Sequence, residues 1–197
     1  MVFKAGNKYF DLDKKPVIMG ILNVTPDSFS DGGKFNDPAS ALKRCVQMIK
    51  EGADIIDIGG ESSRPGSAGV TSREELERIV PVIRDIRKIS DVCISVDTYK
   101  SDVAEVVLEE GADMINNIRG ADPDEELLRV VAEHSAGLCL MHMRGTPENM
   151  QNSTDYDDIV SEILSALKIS FEKALLAGVG KEFVVLDPGI GFGKSPE

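Results

Sequence analysis

The sequence predicts an α/β fold, a (β/α)8 barrel of which about six strands are present, and three observations carry that prediction. Short apolar runs alternate with longer amphipathic segments, the pattern of buried parallel strands with helices between them. A weak internal repeat, Glu51-Gly52-Ala53-Asp54-Ile55-Ile56 and Glu110-Gly111-Ala112-Asp113-Met114-Ile115, is offset by 110 − 51 = 59 residues. That offset is a doubled strand–helix period of roughly thirty residues. Polar residues also gather where the apolar runs end: Asn23, Asp57 with Glu61, Asp97, Asn116 with Asn117, His142 and Asp187. A TIM-type barrel takes site residues from the C-terminal ends of several strands, whereas an open doubly wound sheet concentrates its site at one switch point. The barrel is preferred.

Each element follows from its own residues. Strands are predicted over 17–24, 55–59, 93–97, 114–118, 138–143 and 183–186. Asp37-Pro38 supplies an N-cap and a first-turn proline before Leu42, Cys45, Val46 and Ile49 at helical spacing. Ser72-Arg73-Glu74-Glu75 fits a capping box before Leu76, Ile79, Val80 and Ile83, with Pro81 expected to bend that helix. Ser101 is the expected cap for Val103, Val106 and Val107, and Asp122-Pro123 for Leu127, Leu128 and Val131. Asp155 or Asp157 opens the longest helix, whose stripe runs Ile159, Ile163, Leu167, Phe171 and Ala174. In both copies of the repeat the glycine reads as the residue just past a helix end.

Composition narrows the function classes. With 42% hydrophobic and 28% charged residues the chain is of globular type, and 197 residues suit a single domain spanning 1–197. Charge arithmetic gives 22 − 34 = −12, which disfavours nucleic acid and anionic membrane as partners. No apolar run has the length of a membrane span, and the polar N-terminus lacks a secretory core. Cys45, Cys93 and Cys139 are too few and too scattered for a disulfide framework, so reduced core thiols and a cytoplasmic location are expected.

Four segments carry chemistry. The stretch from Gly20 to Gly33 leaves the first strand and becomes a long polar loop. Gly59-Gly60-Glu61-Ser62-Ser63-Arg64-Pro65-Gly66 sets one cation and two hydroxyls after a glycine pair. Ser95-Val96-Asp97-Thr98 ends an apolar strand in an acid, which is costly to bury unless paired or facing a ligand. Gly189-Ile190-Gly191-Phe192-Gly193-Lys194 suggests a phosphate loop, but Pro188 and the glycine spacing break both the Walker and the dinucleotide patterns. His134 reads as surface helix, and His142 as core or rim with equal weight. Zinc spacing and a serine nucleophile elbow are absent from the sequence.

MGILNVTPDSFSDGG and GADIIDIGGESSRPG resemble the first two signatures of the dihydropteroate synthases, and SVDT, INNIRG, CLMHMRGTPENM and VVLDPGIGFGK resemble the later blocks in the same order. The resemblance implies a folate-synthesis transferase on a TIM barrel, joining p-aminobenzoate to 6-hydroxymethyl-7,8-dihydropterin diphosphate and releasing pyrophosphate. By position it implies that Asp97, Asn116 and Asp187 hydrogen-bond the pterin ring, with Met141 and Ile118 packed beside it. It places Asn23 near Mg²⁺ and the diphosphate, and Ser63, Arg64 and Pro65 with Phe192 around p-aminobenzoate. Asp97 and Asp187 take the catalytic role of stabilising positive charge on the pterin. The family's Ser-Arg-Lys and Arg-x-His strands do not occur in this sequence, so the barrel is expected to be C-terminally incomplete and the chain as given unable to turn over alone. A homodimer is implied for the full-length enzyme. The alternatives are a pterin-dependent methyltransferase domain, disfavoured by the long first loop, and a non-catalytic pterin-binding protein.

Overall fold

Strict alternation along the strands sorts the side chains onto two faces, and the whole architecture follows from that sorting. The computed structural model describes residues 1–25, 38–62, 69–120, 122–146, 148–152 and 154–195. A short hairpin, β1 (Val2–Ala5) and β2 (Lys8–Asp11), comes first. Then β3 (Met19–Asn23), β4 (Ile55–Gly59), β5 (Cys93–Asp97), β6 (Met114–Asn117), β7 (Gly137–Met141) and β8 (Val184–Asp187) form one parallel sheet in sequence order. Five helices connect them: α1 (Pro38–Glu51), α2 (Ser72–Arg87), α3 (Ser101–Glu109), α4 (Glu125–Glu133) and α5 (Ile159–Leu176). Among the described residues β3 and β8 are the sheet's two edges.

Leu22, Ile56, Ile58, Ile94, Val96, Ile115, Leu138 and Leu140 face outward and pack against the helices, filled from that side by Ile79, Ile83, Val107, Leu127 and Val131. Each fully buried aliphatic of this layer stabilises the fold by about 1.5–3 kcal/mol. The alternate residues line the concave face. Its floor is apolar: Ile55, Cys93, Met114 and Cys139 meet Phe3 and Ala5 of the hairpin, with Phe10, Leu12, Val17, Met19 and Val185 around them. The hairpin therefore plugs the end where the strands begin. Toward the other end the concave face turns polar.

The predicted strands form with shifts of one or two residues at several ends, and 183 belongs to a 3-10 turn (Lys181–Phe183) rather than to β8. The caps differ more. Thr71, not Ser72, caps α2: its hydroxyl accepts from Glu74 N–H at 3.2 Å while Glu74 reaches back to Thr71 N–H at 2.9 Å. Ser101 is the first residue of α3 and the preceding Lys100 caps without its side chain. Asp124, after the Asp122-Pro123 pair, caps α4, and Asp158 caps α5. At α2, α4 and α5 several capping residues stand close together, and the backbone bend selects one of them; at α3 no side chain caps. Pro81 sits on the solvent side of a helix that runs on through it.

The repeat has one structural meaning. Gly52 and Gly111 adopt φ of 105° and 102°, the left-handed region past a helix end. Two residues on, Asp54 and Asp113 each clip the incoming strand to its neighbour, accepting the backbone N–H of Ile18 at 3.1 Å and of Ile94 at 2.9 Å.

Candidate active site

Register builds the site. Asn23 pairs with Gly59, Gly59 with Asp97, and Asp97 with Asn116, so one row crosses four strands at their C-terminal ends. Asp187 pairs with Met141 two residues higher, past the Asn116–Cys139 pair. Glycine at 59 leaves the middle of the row open: a side chain there would begin 3.0 Å from Asn23 Oδ1 and 3.8 Å from Asp97 Oδ2. Below the row lies Asp57, only 3% exposed, and Asn116 donates its amide to Asp57 Oδ2 at 3.1 Å. That contact fixes the Asn116 side chain, leaving its amide oxygen as the acceptor for a ligand.

Burial, followed by the charges of Asp57, Glu75 and Glu61, holds the Asp97 carboxyl well above the usual carboxylate range. Burial likewise pushes Asp57 up. Acids in this condition are ready to ionise once a hydrogen-bond donor or a positive charge arrives. Five buried side-chain atoms among the described residues lack a protein partner: Asp57 Oδ1, Glu75 Oε1, Ser95 Oγ, Arg119 Nε and His142 Nδ1. All belong to the site half of the molecule.

One wall is a charged network. Lys100 Nζ lies 2.6 Å from Glu61 Oε2 and 2.5 Å from the buried Glu75 Oε2. Burial works against the Lys100 charge, but the bonds to both glutamates outweigh it and hold its pKa above the ordinary value. Tyr99 Oη donates to Glu61 Oε1 at 3.2 Å, and the Arg119 guanidinium stacks 3.7 Å over the Tyr99 ring. Glu61 Oε2 also accepts Val70 N–H at 3.2 Å, which ties the end of β4 to the approach to α2. Asn117 accepts Arg119 N–H at 2.8 Å and shapes the turn after β6.

The roof is apolar. Ile118, Met141, Met143 and Met150 cluster with Phe192. Asp187 Oδ1 accepts Gly189 N–H at 2.7 Å and its backbone carbonyl accepts His142 N–H at 2.9 Å, so the β8 end is stitched to the β7 end. A side chain at Gly189 would begin 2.0 Å from the His142 carbonyl, and its φ of 66° also requires glycine. His142 is buried beside Tyr156; burial and the Lys194 and Arg144 charges keep it below its ordinary pKa. His134 is exposed, just past α4.

The structure thus brings together Asn23, Asp97, Asn116, Ile118, Met141, Asp187 and Phe192. Ser63, Arg64 and Pro65 lie outside the described residues, as does most of the polar loop after β3. Sequence reasoning missed the Glu61–Lys100–Glu75 network. A signal existed: Glu75 stands four residues before Ile79, on the buried stripe that continues through Val82, Ile83 and Ile86. Among the described residues, no group of three or more His, Cys, Asp or Glu is arranged to hold a metal ion. No helix among them is long and apolar enough to cross a membrane.

Comparison with known proteins accounts for this arrangement. The chain is 48% identical over 193 residues to the dihydropteroate synthase of Synechocystis, a match covering 98% of this chain and 67% of that protein. It superposes with a TM-score of 0.91 on the Yersinia pestis dihydropteroate synthase solved with a sulfonamide drug complex, at 45% identity, covering 99% of this chain and 70% of the other. The Burkholderia cenocepacia dihydropteroate synthase complexed with 7,8-dihydropteroate gives a TM-score of 0.85 at 39% identity, covering 98% and 65%. The sequence profile of the pterin binding enzymes matches residues 19–197, and the six parallel strands with their helices superpose on a TIM barrel whose closure the described residues do not reach. The chain belongs to the pterin binding enzyme family.

Proposed function

We infer that this protein is a transferase of folate synthesis that condenses 6-hydroxymethyl-7,8-dihydropterin diphosphate with p-aminobenzoate, giving 7,8-dihydropteroate and pyrophosphate. The observation that carries the reading is the row of acceptors at the strand ends, Asp97 and Asn116 with Asp187 above, under an apolar roof. An aminopyrimidinone ring is a flat array of N–H donors, and an acceptor row with apolar cover is its complement. That relatives of high identity are named for this synthesis, and one was solved with 7,8-dihydropteroate, supports it.

The roles follow from the surroundings. Asp97, Asn116 and Asp187 accept from the ring, and Ile118 and Met141 cover its faces. When the C–O bond to the diphosphate breaks, positive charge develops on the pterin. Asp97 and Asp187 face that charge and stabilise it electrostatically; burial and its acidic neighbours, which raise the Asp97 carboxyl in the absence of ligand, are offset there by the ring's N–H donors and the developing positive charge. The aryl amine then forms the new C–N bond, the amine proton leaves to solvent, and pyrophosphate departs. The amine is already a competent nucleophile, so no covalent catalyst is needed. Ser63, Arg64, Pro65 and Phe192 are assigned to p-aminobenzoate.

Among the described residues magnesium fits best at Asn23. Asn23 offers a single hard oxygen at the exposed strand end, suited to an ion that keeps most of its ligands from water and phosphate. Asn23 would hold it, and the ion would supply charge neutralisation to the departing diphosphate. A homodimer of the full-length enzyme and a cytoplasmic location belong to the same reading. The dimer stands on the resemblance alone and is checked by sedimentation; three buried, free cysteines are in keeping with a reducing compartment.

The test is direct. Incubated with both substrates, the full-length protein releases pyrophosphate and forms 7,8-dihydropteroate. Pterin binding by calorimetry without turnover would instead leave a non-catalytic binding protein. Assaying residues 1–197 beside it measures whether six strands suffice.

A further inference from the structure

The glycine-rich turn after β8 carries a lysine that the site described so far does not use. A phosphate loop turns its backbone N–H groups and its lysine toward the anion. Here the polarity is reversed. Lys194 Nζ donates to three backbone carbonyls: Phe192 at 2.9 Å, Gly189 at 3.0 Å and His142 at 3.2 Å. An ammonium has three N–H donors, so all of them are spent on the protein's own backbone. The neighbouring carbonyls of the turn are taken by side chains as well. Gln151 donates to Gly191 O at 3.2 Å and Tyr156 Oη to Gly193 O at 3.0 Å.

The consequence falls on Phe192. Its carbonyl is one of the three held by Lys194, and its ring closes the roof against Met141, Met143, Met150 and Ile118. Two of the bonds bind the turn to itself, at Gly189 and Phe192, and the third crosses to the end of β7 at His142. We propose that Lys194 is a positioning residue: it fastens the β8 turn to the β7 end, sets the Phe192 ring as the wall of the aryl pocket, and does not act as a cation for the diphosphate. This rests on the reading that Phe192 borders p-aminobenzoate.

Lys194→Ala in the full-length enzyme separates the alternatives. The expected result is a rise of about tenfold or more in KM for p-aminobenzoate, with the KM for the pterin diphosphate changed by less than about twofold. Propylammonium, which restores three N–H donors to the vacated cage, should recover part of the loss; tetramethylammonium, which has none, should not. Amide hydrogen exchange without substrates should show protection lost at 189–193 and 142–144 and kept in the outer helix layer. A selective rise in the diphosphate KM would make Lys194 a phosphate cation and overturn the proposal, as would an unchanged enzyme. If the wild type fails to turn over, the functional reading fails. The exchange pattern then still decides whether Lys194 holds the turn.

Discussion

Aspartates stand at both ends of the same sheet, and their circumstances are opposite. Where strands begin, Asp54 accepts the Ile18 N–H and the Lys15 ammonium, and the Lys15 hydrogen bond holds its carboxyl below the usual range. Asp113 accepts the Ile94 N–H and an Arg87 guanidinium N–H. Asp113 is the more buried, and burial lifts its carboxyl, yet the same oxygen still has two donors. Where strands end, Asp57 Oδ1 has no protein partner, and Asp97 is pushed up by burial and by other acids rather than relieved by a cation. An acid whose bonds are complete is a fastener. An acid left short of donors is a receptor for whatever brings them, and the barrel keeps the two kinds at opposite ends.

That division can be broken first at the floor. Met114→Ala empties a fully buried position under the hairpin and should destabilise the fold by about 2–5 kcal/mol in denaturant melts, while pterin affinity, measured well below the melting transition, stays near wild type. Large losses of both would mean that floor and site are not separate. At the rim, Asp187→Ala in the full-length enzyme should cost about 1.5–3 kcal/mol of pterin binding by calorimetry, since a ring donor loses a charged acceptor. An unchanged affinity would remove Asp187 from the site.

The next two effects are smaller and sharpen the comparison. Arg64→Ala should raise KM for p-aminobenzoate by about tenfold, roughly 1.4 kcal/mol, with pterin affinity kept; a selective loss of pterin affinity would contradict it. Asp57→Asn should stabilise the empty protein. The Asp57 carboxyl is raised in the fold above its ordinary 3.8, so its contribution to stability is complete below that value and is lost as pH rises through the raised one. The variant keeps an oxygen for the Asn116 amide, removes that loss, and should melt higher than wild type at pH 8 by about 1 kcal/mol or a few degrees, with the gain vanishing near pH 4. A variant less stable at pH 8 would mean that the ionised form is well solvated.

Much of this was readable from the sequence, because it lies in periodicity. Six strands, the meaning of Gly52 and Gly111, and the polar strand ends follow from alternation and spacing, which depend on neighbours in the chain. Three things were not readable that way. The hairpin of residues 2–11 has two strands of four residues and a mixed pattern; only its Gly6-Asn7 turn announces it. Caps at α2, α4 and α5 shifted because several capping side chains stand close together. Lys100, Glu61 and Glu75 come from three segments; the buried stripe marks Glu75 and the strand end marks Glu61, but nothing in the spacing joins either to Lys100. Their pairing is a product of the fold.

The three cysteines lie in two layers: Cys45 in the outer helix layer, and Cys93 and Cys139 in the apolar floor, with Cys139 at its upper edge in register with Asn116. Burial raises all three thiols, Cys93 to about 12, so the native protein is slow to react with alkylating reagents. The chain therefore carries its own set of clocks. Timed alkylation followed by peptide mass analysis records when each layer opens, with no label added and no residue changed. A ligand seated on the strand ends should slow the clock at Cys139 most.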